Sequence, residues 1–206
     1  MTKHPALTTV ILSAITIGST VVSAQNMVSN GDFDTDVGGW TSYHCLLAWD
    51  PADSQQSAFS GSAWTSNNND AEPTTAIFAC VDGVVGGQSY DLGGRVWIPS
   101  GQPSTGSAKL GLFWYDGTAC TGALTVGGQT PYTGLPDGWV FLAHFGQVAP
   151  PGTQSAQITA YNIKTSPGTG PFVVHHDGIM FGIFGGIFAD GFEGGDTMVW
   201  SSTTPP

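Results

Sequence analysis

Arg95 and Trp97 stand two residues apart in the run Tyr90 to Ile98. In an extended strand both leave on one face, opposite Tyr90, Leu92, Val96 and Ile98. A guanidinium beside an indole suits a polyhydroxylated ring. The indole covers an apolar C–H face and the guanidinium bonds the hydroxyl rim. Tyr115 and Tyr161 likewise lie opposite the apolar residues of their own runs, Ala108 to Tyr115 and Ser155 to Ile163. With Arg95 and Trp97 they form a candidate ligand platform, provided their strands join one sheet. The plain alternative for any single tryptophan is burial, and Trp40 and Trp114 are the clearest core candidates.

Other chemistry finds less support. His175 and His176 are adjacent on a strand-like run, so they point to opposite faces and cannot chelate one metal together. Hydrolysis of a glycoside needs two carboxyls about 5–9.5 Å apart. With 13 Asp and 2 Glu some such pair arises by chance, and nothing singles one out. There is no Gly-x-Ser-x-Gly, His-Glu-x-x-His or phosphate-binding loop. No catalytic residue is therefore expected.

The elements that must carry these residues are strands. Charged residues make up only 9 % of the chain, while Gly, Thr, Val and aromatics abound, a composition that disfavours helices. Apolar or alternating runs recur every ~10–15 residues between Gly, Pro, Asn and Asp clusters, the spacing of a sandwich. The predicted strands are Met27–Phe33, Trp40–Trp49, Ser62–Ser66, Thr75–Val81, Ser89–Ile98, Ala108–Tyr115, Trp139–Val148, Ser155–Ile163 and Phe172–Phe181. No useful helical stripe appears.

Residues 1–24 have the layout of a cleavable secretory signal. Lys3 is followed by an uncharged apolar stretch from Leu7 to Val22, then Val22-Ser23-Ala24 as the cut site. The stretch is about 16 residues long, short of the ~20 a spanning helix needs, so no membrane insertion is expected. The mature protein is expected outside the cytoplasm, secreted or periplasmic. Its domain would occupy residues 25–185 and a separate C-terminal tag 186–206. Without Lys3, three cations face fifteen acids, a net charge of −12 that repels nucleic acid and anionic lipid. All three cysteines lie in the exported part, where disulfides persist. A Cys80–Cys120 bridge is expected, with Cys45 buried or free. Zinc is the alternative, although no Cys-x-x-Cys pair exists.

Several segments, in order, resemble carbohydrate-binding modules of families 4, 9 and 22, which share a galactose-binding-like jelly roll. They are Val28-Ser-Asn-Gly-Asp-Phe-Asp34 with Gly39-Trp40, Ser60-Gly61-Ser62, Gly86-Gly-Gln-Ser-Tyr90-Asp-Leu92, Pro150-Pro-Gly152 with Ala156-x-Ile158, and Phe172-Val-Val-His-His-Asp177. His176 replaces the first Asp of the family's last-strand pair, and Asp34 its usual Glu. The resemblance implies an all-β jelly-roll sandwich of two antiparallel sheets. It also implies a structural calcium between first and last strands, with Asp34 and Asp177 as carboxylate ligands and carbonyls near Gly31 and Ser62 completing the shell. The implied partner is a polysaccharide or other glycan, bound without catalysis. The rivals are a surface protein whose partner is another extracellular protein, and a small hydrolase or lyase. The C-terminal run Ile187-Phe-Ala-Asp190-Gly-Phe-Glu193 to Trp200 resembles a terminal tag of secreted bacterial proteins and echoes Gly31-Asp-Phe33-Asp34 to Trp40.

Overall fold

A computed structural model describes residues 25–69, 71, 73–135, 137–165 and 170–183. The expected signal peptide and the Ile187–Trp200 motif lie outside these residues.

Ten strands form two five-stranded sheets, and every pairing is antiparallel. In chain order they are β1 Thr41–Tyr43, β2 Leu46–Asp50, β3 Ser62–Asn67, β4 Thr74–Asp82, β5 Ser89–Trp97, β6 Gly106–Tyr115, β7 Leu124–Gln129, β8 Trp139–Val148, β9 Ser155–Lys164 and β10 Phe172–Gly182. One sheet runs β1-β4-β9-β6-β7 and the other β2-β3-β10-β5-β8. Strands β3 to β10 interleave between the sheets as two nested Greek keys, the jelly-roll order. No described residue is helical.

Alternation decides what meets between the sheets. Tyr90, Leu92 and Val96 of β5 face Leu110, Leu112 and Trp114 of β6 and Ala156, Ile158 and Ala160 of β9 in one buried core. Trp40 and Trp114 are both buried, as the sequence suggested. Tyr90 stacks on Phe181 with ring centroids 5.1 Å apart.

Three local expectations change. Met27–Phe33 is not a strand. Its backbone zips irregularly onto the end of β10, Met27 N–H donating to Phe181 O and Ile179 N–H to Gly31 O. The Asn26 amide donates to Ile179 O and accepts from Phe181 N–H. Asn30 and Phe33 then turn left-handed (φ 53° and 47°), which drives Phe33 into the core against Trp40. The Trp40–Trp49 run splits at His44 (φ 56°), so β1 and β2 join opposite sheets. Strand β7 was missed because Gly127-Gly128 reads as a breaker in an exposed run.

Candidate functional site

The outer face of β1-β4-β9-β6-β7 carries a groove whose floor is small and whose sides are aromatic. Tyr43, Ala76, Tyr161 and Lys109 stand opposite one another across four strands. Phe78, Thr159, Gly111 and Gln129 form the next row. Gly111 is required here, because a Cβ would lie 2.8 Å from the Tyr161 ring. Lys109 is nearly buried although it faces outward. Its ammonium donates to Gln129 Oε1 at 2.6 Å and to the Tyr132 hydroxyl at 2.8 Å. It also lies 4.4 Å from the Tyr132 ring centroid and 5.0 Å from that of Tyr161. One cation thus holds two tyrosines in fixed positions, an arrangement in which cation–π attraction and hydrogen bonding act together. Burial, reinforced by Tyr132, raises the Tyr161 phenol pKa, so its hydroxyl stays protonated and able to donate. Further along, the Tyr115 hydroxyl donates to Gln157 Oε1.

The four residues expected to share a platform are divided between the two sheets. Tyr115 on β6 and Tyr161 on β9 face this groove. Arg95 and Trp97 on β5 face outward from the opposite sheet. Sequence alternation gave each residue its correct face but could not say which strands become neighbours. Lys109 and Tyr132 were missed as site residues. A lone lysine among apolar strand residues was the available signal.

Asp34 and Asp177 line one half-open cavity of about 230 Å³. Asp32 and Asp53 line it too, and the remaining wall is Gln and Ser. Neither Gly31 nor Ser62 is part of that wall. The Gly31 carbonyl accepts from Ile179 N–H, and Ser62 Oγ bonds His175 Nδ1. Burial raises the Asp177 pKa to about 6. Hydrogen bonds from Ser54 and Gly178 oppose this, and the Asp53 charge adds to the rise. No ring lines the cavity to stack a sugar, while hard oxygens abound, so the donor set fits a cation such as calcium. Among the described residues no three His, Cys, Asp or Glu side chains converge as a finished metal cage. Any calcium there would rely on two carboxylates completed by carbonyl, hydroxyl or water oxygens.

Ser62, His175 and Asp50 come together without forming a relay. Both Ser62 Oγ (3.1 Å) and Asp50 Oδ1 (3.9 Å) approach the same ring nitrogen, Nδ1. A nucleophile relay needs them on opposite nitrogens, and Ser62 is fully buried. The Cys80–Cys120 bridge is present, and Cys45 is a partly buried free thiol.

No family model and no curated protein matches the chain. Solved structures do share its fold. The family 22 xylan-binding domain from Paenibacillus barcinonensis superposes with a TM-score of 0.55 at 15 % identity, over 77 % of this chain and 94 % of that one. The C-terminal family 22 carbohydrate-binding module of Clostridium thermocellum xylanase 10B gives 0.52 at 19 %, over 77 % and 98 %. The enzymatically active domain of bacteriophage CBA120 tailspike protein 4 gives 0.56 at 18 %, but this chain spans only 21 % of it. At these identities the likeness is one of fold.

Proposed function

We propose that the protein is an exported, non-catalytic glycan-binding module. The groove over β4, β9 and β6 holds the sugar chain, and calcium braces the Asp34–Asp177 cavity. The observation that carries the reading is Lys109, fixed between Tyr132 and Tyr161 beside the buried Gly111 and Thr159. Tyr43 and Tyr161 offer faces for pyranose C–H groups, while the exposed Gln129 amide offers a partner for hydroxyls. The likeness in fold to xylan-binding domains supports a polysaccharide as the ligand class.

A glycan array probed with the chain from residue 25 onward, in calcium, tests the reading. Binding to at least one polysaccharide is expected, and Tyr161→Ala should weaken it about tenfold, the loss of one stacking ring. No binding to any glycan would overturn the proposal. Release of reducing ends from the bound polymer would overturn its non-catalytic part.

In the cavity, Asp34 and Asp177 would bind calcium and so join the first turn to β10. Calcium at about 100 times its dissociation constant adds about 2.7 kcal/mol to a fold that alone binds it. Melting with and without chelator should therefore differ by several degrees. Asp34→Ala should abolish the difference. Equal melting temperatures in calcium and chelator would remove calcium from the account.

A further inference from the structure

We propose that the outer face of β2-β3-β10-β5-β8 is a second binding platform, one that takes an uncharged polysaccharide laid across the strands. It is independent of the groove and lies on the opposite side of the sandwich.

The register of this sheet puts four rings in one line. Trp64 stands opposite His175, His175 opposite Trp97, and Trp97 opposite Trp139. The line crosses three strand intervals, about 14 Å at the usual strand spacing. Three of the four rings touch: Trp97 stacks on His175 at 4.7 Å, Trp139 lies 6.0 Å from Trp97, and Trp139 meets His175 edge-on at 6.4 Å. His175 is buried and tied to Ser62 Oγ, so it acts as a seat that fixes the indoles. All three tryptophans remain partly exposed.

Two residues further along the same strands runs a polar row. Asp50 stands opposite Ser62, Asp177 opposite Arg95, and Arg95 opposite Phe141. The Arg95 guanidinium lies 5.7 Å from the Phe141 ring centroid. It rests against Gly178, a left-handed residue (φ 54°) in the β10 bulge, where a Cβ would sit 3.3 Å from the guanidinium. Among the described residues it has neither a hydrogen bond nor an ion pair. A row of ring faces beside the partly exposed Asp50 carboxylate and Arg95 guanidinium matches a polymer whose rings have apolar faces and hydroxylated edges. Charge narrows the occupant. A polyanion or a second copy of this acidic chain is repelled, and Asp177 stands beside the one arginine. An uncharged glycan meets no such barrier.

Tryptophan separates the two sites, because no described tryptophan faces the groove. The full mature chain is titrated with soluble xylan, mixed-linkage glucan, galactomannan and chitin hexamer while indole emission is recorded. In parallel, tryptophan oxidation by N-bromosuccinimide is mapped by peptide mass spectrometry. At least one polymer is expected to change the emission and to slow oxidation of Trp97 and Trp139 several-fold. Trp139→Ala, on the edge strand, should weaken that emission-detected binding about tenfold. The oxidation map uses the wild-type chain and stands even if the variant fails to fold. Glycan binding with unchanged emission and unprotected Trp97 and Trp139 refutes the second platform while leaving the groove intact. Protection that survives loss of groove binding supports it alone.

Discussion

Cys120→Ser should lower the stability of the fold by about 4 kcal/mol, the loop-entropy value for a closed segment of this length. The bridge spans 40 residues of sequence and links β4 to the connection between β6 and β7, across β9. It also secures an awkward turn. Ala119 and Cys120 are both left-handed (φ 52° each), a conformation that costs non-glycine residues energy. Their N–H groups donate to Asp82 Oδ1 and Ser155 Oγ, so the turn is pinned to β4 and β9 as well. Urea unfolding in a Cys45→Ser background checks the value without thiol exchange. Cys80→Ser, Cys120→Ser and the double variant should lose similar amounts, since each removes the same bond. Midpoints equal to the parent's would refute the stabilising role.

Acid should destabilise the protein through His176. Its ring faces the core, fully buried between the sheets. Among the described residues Nδ1 has no partner, and Nε2 reaches only Thr65 Oγ1 at 3.5 Å. Burial lowers its pKa to about 3, and the neighbouring His175 adds to the fall. Unfolded, the ring takes up a proton near pH 6.5; folded, it does so only near pH 3. The stability tied to its neutral form is therefore complete above pH 6.5 and declines as pH falls from there towards 3. The full effect is on the order of 5 kcal/mol. Asp177 works in the opposite sense and more weakly. Its raised pKa favours the fold as pH falls through about 6 to the ordinary carboxylate range. Urea midpoints at pH 7, 5 and 4 should fall steeply in the parent. In His176→Leu, which keeps an apolar side chain in the core, they should fall less. Parallel declines in the two proteins would show that another group governs the acid response.

Much of the fold was legible in the residues. Eight of the nine predicted runs contain strands, and in β5, β6 and β9 alternation assigned the named inward and outward positions correctly, because a pleated strand fixes side-chain direction locally. The Cys80–Cys120 pairing followed from placing one cysteine in a strand and the other just beyond a second. What failed did so for local reasons that only long-range contacts resolve. The Asn30–Phe33 segment has strand-like composition, yet the end of β10 imposes left-handed turns on it. Strand β7 has Gly-Gly at its centre and forms because β6 offers a paired edge.

The candidate sites show the same division more sharply. Sequence alone determined that Arg95, Trp97, Tyr115 and Tyr161 face outward, that Asp34 and Asp177 are apart in the chain, and that His175 and His176 part company. Each is a consequence of strand period and spacing. Only the tertiary structure decided that Arg95 and Trp97 lie back to back with Tyr115 and Tyr161 across the sandwich. The same fold brought Trp64 and Trp139 into line with Trp97, placed Lys109 between two tyrosines, and brought Asp34 and Asp177 to one cavity. The reason is that a strand's period fixes which way a side chain points, whereas strand order and register, set by packing across the whole core, fix what it points beside.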